Sequence, residues 1–299
     1  MIKLDPTKLW RALLVVLTIG TILCVADYFY FAPRINRGIT SRILFHPPER
    51  STNNPITING ILGKHHKITG PAKSEIILDS ILFQVPKDKE RGVILVSLGI
   101  GSSINYLCDP FQIATMLQQG FSVFIYDHVG YGLSSGQCNI DRMAPDGILA
   151  HDYLVDVLKY PAGSIVAYGE SFGTGVTSEL HKKRPLRAMI LESPFTSPKG
   201  WADQQLSITQ IYPDFLFIEP TFSNLDMIKG KHPPVLIIGT TLDKSVPINH
   251  ARELASQAHQ PFRYLELPNS QHVIIGKADR KIFCDELKQF LDQVTPVKQ

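Results

Sequence analysis

The sequence predicts an α/β protein with a mostly parallel central sheet, helices on both faces of the sheet, and one further apolar helix near the N-terminus. Three observations lead to this prediction: short, continuously apolar and β-branched runs recur along the chain, amphipathic stretches alternate with them, and an apolar segment covers residues 9–31. Hydrophobic residues make up 44% and charged residues 19% of the 299 residues, which is typical of globular proteins and excludes disordered and fibrous classes.

The first element is the apolar segment LWRALLVVLTIGTILCVADYFYF, at residues 9–31. About twenty such residues in a helix cross the hydrocarbon core of a bilayer. Trp10 at one end and Tyr28 at the other match the aromatic belts of membrane interfaces, and Pro33 predicts the end of the helix. The segment therefore predicts a single-pass N-terminal membrane anchor.

Two other interpretations of this segment stay open. The small residues CVA before Asp27 also fit a cleavable secretory signal, and a buried core helix is the third alternative. Basic residues flank the segment almost equally on both sides, so they do not assign its orientation in the membrane. We assign residues 1–40 to the anchor and its linker, and residues 41–299 to the α/β domain.

The strands and helices of the domain follow from hydrophobic periodicity. Two antiparallel strands are expected near residues 66–69 and 75–84. Buried strands are expected after them at 92–98, 121–126, 164–168, 186–193, 234–240 and 262–268. Helices are expected between these strands at 108–120, 143–160, directly after Ser171, and at 249–259 and 279–294.

One interval interrupts the alternation. Residues 194–232 contain proline and many aromatic residues but no clear strand pattern, so they read as an insertion between two strands of the sheet. In an enzyme such an insertion is a cap or lid over the substrate pocket. An irregular connection that covers the edge of the sheet is the alternative.

The stretch AYGESFGTG places Ser171 between Gly169 and Gly173, after an apolar strand and before a helical stretch. The pattern G-x-S-x-G is typical of a nucleophile elbow, a strand-to-helix turn so sharp that its central residue is strained and its neighbours must be glycine. The sequence therefore predicts Ser171 as a nucleophile.

Two further residues follow strands at the same edge of the predicted sheet. Asp243 comes just after the strand at 234–240, and His272 follows the strand at 262–268. Because ligands bind beyond the carboxyl ends of parallel strands, these side chains are expected to meet Ser171. A serine needs an imidazole base, and the imidazole needs a carboxylate to orient it, so we predict a catalytic triad of Ser171, His272 and Asp243.

A triad also needs backbone N–H groups that stabilise the developing oxyanion. Phe172 directly follows the nucleophile and opens its helix, so it is the first predicted donor. The second donor is expected from the loop GIGSSINY after the strand at 92–98, and we assign it to Ile100.

Charge and cysteine content exclude other classes of function. The net charge of +3 comes without a dense basic stripe, so no nucleic-acid partner is expected. The four cysteines lie far apart without C-x-x-C spacing, so neither a zinc site nor a disulfide framework is predicted. A bond between Cys108 and Cys138 stays open for an oxidising compartment.

Several motifs together resemble the α/β-hydrolase superfamily. They are ILFHPPER, YDHVGYGLSSG, YGESFGTG, LESPFTS, PVLIIGTTLDKSVP and NSQHVI. More narrowly, residues 40–295 resemble the membrane-anchored branch related to serine aminopeptidases, monoacylglycerol lipases and palmitoyl-protein thioesterases. One position departs from the family pattern: Leu98 precedes Gly99 where His-Gly is common.

The resemblance implies an α/β-hydrolase fold and a serine hydrolase that cleaves a carboxylic ester or thioester through an acyl-enzyme on Ser171. A lipid-like acyl compound is the favoured substrate, and neither a metal nor an organic cofactor is expected. The alternatives are a serine peptidase or amidase, an acyltransferase of the same fold, and a hydrolase-like protein that binds a ligand without catalysis.

Overall fold

The computed structural model of the protein describes residues 6–48, 55–71, 74–107, 109–218 and 220–295. Two helices come first, α1 (Pro6–Tyr30) and α2 (Arg37–Leu44). A small antiparallel hairpin of β1 (Thr57–Ile58) and β2 (Ile61–Leu62) leads from them into the central sheet.

The central sheet contains eight strands. Their bounds are β3 Lys64–Thr69, β4 Ile77–Phe83, β5 Gly92–Ser97, β6 Phe121–Tyr126, β7 Val166–Glu170, β8 Ala188–Glu192, β9 Val235–Thr240 and β10 Phe262–Leu267. The order across the sheet is β10-β9-β8-β7-β5-β6-β4-β3. All neighbours from β10 to β6 are parallel, whereas β3 and β4 are antiparallel to their neighbours, as the sequence predicts.

Helices cover both faces of this sheet. Their bounds are α3 Phe111–Gln118, α4 Ile140–Asp156, α5 Phe172–His181, α6 Pro198–Gln205, α7 Asn224–Lys229, α8 Asn249–Gln257 and α9 Arg280–Val294. Alternate residues of β5 belong to different cores: Ile94 packs with α3 and α9, and Leu95 packs with α4 and α5. A strand buried on both faces is continuously apolar, which explains why these strands are readable from the sequence.

Several predicted boundaries were wrong by a few residues, and two of these differences have a local cause in the structure. The strand predicted from residue 164 begins at Val166, because Ala162–Ser164 forms a 3₁₀ turn. The helix predicted from residue 143 begins at Ile140, because the Asn139 side chain accepts the backbone N–H of Asp141 (2.9 Å) and caps the helix earlier.

The described residues of the 194–232 interval form short helices and no strand. Helix α6 is followed by 3₁₀ turns at Ser207–Ile211 and Asp214–Leu216 and then by α7. Phe195 and Phe222 from this interval pack on Phe172 at the start of α5, and Phe217 belongs to the same buried cluster. The interval therefore lies over the carboxyl ends of the central strands, while its role as a cap stays a prediction.

Helix α1 projects from the domain with its apolar side chains exposed. Among the described helices it is the one long and apolar enough to cross a membrane, and its span is not buried inside the molecule. Length and composition alone do not separate a membrane anchor from a signal sequence. Of the cysteines, Cys24, Cys138 and Cys284 are free thiols, and Cys108 lies outside the described residues.

Candidate active site

Ser171 lies in a strained turn between β7 and α5. Its φ is 52° and its ψ is −118°, a backbone conformation that residues other than glycine rarely adopt. The Ser171 N–H donates to the backbone oxygen of Glu192 (2.9 Å), and its carbonyl accepts the Thr174 hydroxyl (2.6 Å). Strain that is held by its surroundings in this way is common at functional sites.

Close packing explains the two glycines of the elbow. A Cβ at Gly169 would lie 2.5 Å from the backbone oxygen of Gly173, and a Cβ at Gly173 would overlap the backbone oxygen of Ser97 at the end of β5. Helix α5 therefore starts in direct contact with two strands. Any larger side chain at either position displaces the turn that carries Ser171.

Asp243 and His272 form a direct hydrogen bond. His272 Nδ1 lies 2.7 Å from Asp243 Oδ2, although 29 residues separate them in the chain. Asp243 Oδ1 accepts the backbone N–H groups of Ser245 (2.8 Å) and Val246 (2.7 Å). Burial of this carboxyl raises its pKa, but the hydrogen bonds from His272 and from the two N–H groups outweigh burial and hold the pKa below its usual value.

A tight turn presents His272. The backbone groups of Gln271 and Ile274 bond each other across this turn, and Val273 has a positive φ of 55°. A β-branched residue in the left-handed region is strained, so contacts elsewhere must hold the turn. The carbonyl of Val273 accepts Gln112 Nε2 at 3.1 Å, and its N–H lies 3.5 Å from the Ser193 hydroxyl.

The predicted site residues come together around one cavity. Ser171, Phe172, Ile100 and His272 line it, and Asp243 lies behind His272. The cavity has a volume of about 560 Å³, and most of the other side chains around it are apolar.

The loop after β5 lies against the elbow. A Cβ at Gly99 would lie 3.2 Å from Ser171 Cβ and 3.8 Å from Ser171 Oγ, so the backbone passes close to the hydroxyl. The Tyr131 hydroxyl donates to the backbone oxygen of Ile100 (3.0 Å), and Asp127 accepts the N–H of Ile104 (2.8 Å). These bonds hold the loop that carries the predicted oxyanion donor Ile100.

Sequence reasoning missed a buried polar network behind the His272 turn. Glu192 ends β8 and accepts the Tyr168 hydroxyl (2.5 Å) and Gln112 Nε2 (3.1 Å), while Gln112 also bonds the Val273 carbonyl. Burial raises the pKa of Glu192. The pKa of Glu170 is raised well above its usual value, first by burial and then by the negative charge of the nearby Glu192. No sequence signal marks Gln112, whereas Glu192 lies in the motif LESPFTS.

No group of three or more His, Cys, Asp or Glu side chains within the described ranges is arranged to hold a metal ion. The polar groups that the cavity offers are those of Ser171 and His272 together with hydroxyls such as Thr40 and Thr209.

Comparisons with known proteins concern the fold and the family of the chain. Residues 88–217 match the family model described as Serine aminopeptidase, S33. An uncharacterized protein of Mycobacterium tuberculosis is 28% identical over 187 residues, 60% of this chain and 63% of that protein. Alpha/beta hydrolase domain-containing protein 17B of Homo sapiens is 28% identical over 196 residues, 66% of this chain and 60% of the relative. The chain thus matches less than two thirds of the length of these curated relatives.

Solved structures share the fold. An esterase of Pyrococcus furiosus superposes with a TM-score of 0.66 at 17% identity, covering 84% of this chain and 98% of the esterase. A puromycin-hydrolyzing peptidase of Mycobacterium tuberculosis superposes with a TM-score of 0.63 at 16% identity, covering 83% of this chain and 41% of the peptidase. With the strand order, these superpositions show that the chain has the α/β-hydrolase fold, and the family match and the curated relatives support its assignment to the α/β-hydrolase superfamily.

Proposed function

We propose that the protein is a membrane-anchored serine hydrolase that cleaves a carboxylic ester or thioester of a lipid-like acyl compound through an acyl-enzyme on Ser171. One observation carries this proposal: Ser171 and His272 line the same cavity, and most of the other side chains that line it are apolar. Such a cavity suits an acyl chain whose carbonyl carbon reaches the serine.

In the first half of the reaction, Ser171 Oγ attacks the acyl carbonyl and gives its proton to His272. Because Nδ1 of His272 is bonded to Asp243, the other ring nitrogen, Nε2, is the base. Asp243 stays ionised, consistent with its lowered pKa, and stabilises the imidazolium that forms. The backbone N–H groups of Phe172 and Ile100 stabilise the oxyanion of the tetrahedral intermediate.

In the second half, the imidazolium gives its proton to the departing alcohol or thiol, which leaves the acyl group on Ser171. Water then loses a proton to His272 and attacks the acyl carbonyl, and the collapse of this second intermediate releases the carboxylic acid and restores the Ser171 hydroxyl. All protons and the leaving group are accounted for by the triad, the substrate and one water molecule.

The membrane part of the proposal rests on α1. Its exposed apolar side chains have no partner within the described domain except at its last turn, where Tyr28 stacks on Tyr212 with ring centroids 5.0 Å apart. A helix of 25 residues spans about 37 Å, enough to cross a bilayer core of about 30 Å.

The test combines active-site labelling with a substrate series. The full chain in detergent is treated with a fluorophosphonate probe beside Ser171→Ala, and p-nitrophenyl esters of increasing chain length are then compared. We expect labelling and hydrolysis of the wild type alone, with a preference for longer chains. A folded wild type that is not labelled would favour the non-catalytic binding protein, and a preference for amides would favour a peptidase.

Added alcohols separate hydrolysis from acyl transfer. We expect free acid as the main product at low alcohol concentration, because water is then present in large excess over the added alcohol. Ester as the main product would identify an acyltransferase that shares the same intermediate.

A further inference from the structure

The mouth of the cavity lies at the end of helix α1. Phe31, the residue directly after α1, lines the cavity, and so do Ile43 of α2 and Leu206 and Ile208 of the 194–232 interval. We call these four side chains the apolar rim. Although they line a cavity, all are at least half exposed, at 55% for Phe31, 62% for Ile43, 50% for Leu206 and 65% for Ile208.

The 3₁₀ turns of the 194–232 interval pack on this end of α1. The Tyr28 hydroxyl donates to the backbone oxygen of Ile211 (3.0 Å), and Arg34 donates to the backbone oxygens of Phe215 and Leu216 (3.0 Å each). Ala32 is fully buried in this contact. The side chains of Ile211 and Phe215 nevertheless remain 50% and 66% exposed, and we call them the apolar tip.

The depth of this surface relative to a bilayer follows from α1. Trp10 and Tyr28 are 18 residues apart in one helix, which corresponds to about 27 Å along its axis and matches the thickness of a hydrocarbon core. Aromatic residues at both ends of a membrane helix lie at the two interfaces. Tyr28 and the tip bonded to it therefore lie at one interface, beside the first acyl carbons of that leaflet.

We infer that the apolar tip and the apolar rim insert into the leaflet at which α1 ends, and that the acyl substrate enters the cavity sideways from this leaflet. The inference rests on the proposed membrane insertion of α1 and deepens the proposed function by naming the source of the substrate. Four exposed apolar side chains line the mouth and two more lie on the turns that pack on the end of α1, and a lipid leaflet removes all six from water at once. An acyl chain then passes from lipid to Ser171 along a continuous apolar path.

A fluorescence experiment tests the insertion itself. The full chain is placed in nanodiscs of phosphatidylcholine with or without bromine on the acyl carbons next to the headgroups, in a background in which both natural tryptophans are replaced (Trp10→Phe and Trp201→Phe). Phe215→Trp is compared with Val157→Trp, and Val157 is an exposed apolar residue at the end of α4. Asp141, at the start of α4, pairs with Arg37 of α2. Val157 lies about 24 Å from Asp141 along the helix, so it is far from the end of the molecule that carries the tip.

We expect brominated lipid to quench the tryptophan introduced by Phe215→Trp and not the one introduced by Val157→Trp. Equal quenching in both variants would overturn the inference. The introduced tryptophan of Phe215→Trp could instead become buried only in discs that hold two copies of the chain. In that case a second copy covers this surface, and the inference is overturned as well.

A kinetic experiment tests the entry route with two substrates. Ile211→Ser combined with Phe215→Ser changes the tip, which does not line the cavity, and Val157→Ser is the matched control. We expect the double variant to hydrolyse soluble p-nitrophenyl butyrate within about twofold of wild type. Hydrolysis of p-nitrophenyl palmitate dissolved in the nanodisc should fall about tenfold, because the mouth no longer seats in the leaflet.

Equal effects on the two substrates would overturn the inference. If the wild type hydrolyses neither ester, the proposed function fails, and the quenching result still decides the position of the tip. The two failures are therefore distinguishable.

Discussion

Replacing Asp243 by asparagine tests the proposed orientation of His272. The change keeps the shape of the side chain and turns one of its two oxygens into an NH₂ group. Oδ1 accepts two backbone N–H groups, at 2.8 Å from Ser245 and 2.7 Å from Val246. An NH₂ group cannot take that place without facing two donors, so the amide oxygen stays there and the NH₂ group faces His272.

The expected size of the fall in kcat follows from the tautomer of His272. The NH₂ group at 2.7 Å from Nδ1 donates, so Nδ1 becomes an acceptor and the ring proton moves to Nε2. A protonated Nε2 in the neutral ring cannot accept the proton of Ser171. We expect kcat for p-nitrophenyl butyrate to fall by about 10⁴, which corresponds to about 5.5 kcal/mol of transition-state stabilisation.

The assay measures kcat, the rate of fluorophosphonate labelling, and the thermal midpoint of unfolding in the same detergent. Asp226→Asn, an exposed position in the first turn of α7, is the matched control and should leave all three unchanged. Retention of more than about a tenth of wild-type kcat in a folded Asp243→Asn variant would refute the reasoning, because an orienting carboxylate cannot be lost at so small a cost.

Three further predictions concern the surroundings of the site. Gly173→Ala should lower the free energy of unfolding by roughly 3 kcal/mol or prevent folding, because the added Cβ overlaps the backbone of β5. Gly163→Ala has open space around the added Cβ and should leave the free energy of unfolding unchanged in the same urea titration. Gln112→Met should lower kcat/KM about tenfold, because the strained Val273 turn loses its side-chain donor; a change in thermal midpoint alone would contradict this. Burial, opposed by a backbone hydrogen bond, raises the pKa of Asp127 from its ordinary 3.8 to about 7, so the native state keeps a proton that the unfolded chain has lost. The free energy of unfolding should therefore fall as pH rises through this window, by up to about 4 kcal/mol, and urea titrations at pH values below and above it should show a smaller fall in Asp127→Asn.

The strands of the sheet were predictable because a strand that is buried on both faces is continuously apolar, and this pattern lies within the strand itself. The run FSVFIY was predicted at residues 121–126 and forms β6 over the same residues, fully buried. Boundaries set by caps and turns were less readable, since Asn139 starts α4 through one side-chain bond that the apolar pattern does not record.

The elbow was readable for a different reason. The three residues of the elbow, Gly169, Ser171 and Gly173, are close in the chain, and their spacing predicts a turn with no room for a Cβ at either glycine. The close contact of Gly173 with β5 explains this steric requirement. Asp243 and His272 required one further rule, that the ends of parallel strands meet at one edge of a sheet. Their catalytic roles remain predictions for the experiments above.

By itself, the sequence determined the α/β class, the order of the strands along the chain, the apolar helix and the positions of the three candidate catalytic residues, because each of these leaves a pattern within a few consecutive residues. Only the tertiary structure decided that Gln112 supports the His272 turn from 161 residues away, and that the mouth of the cavity opens where α1 ends. Contacts of this kind join segments that are distant in the chain, so no local periodicity or spacing encodes them, and only the packing of the folded chain brings them together.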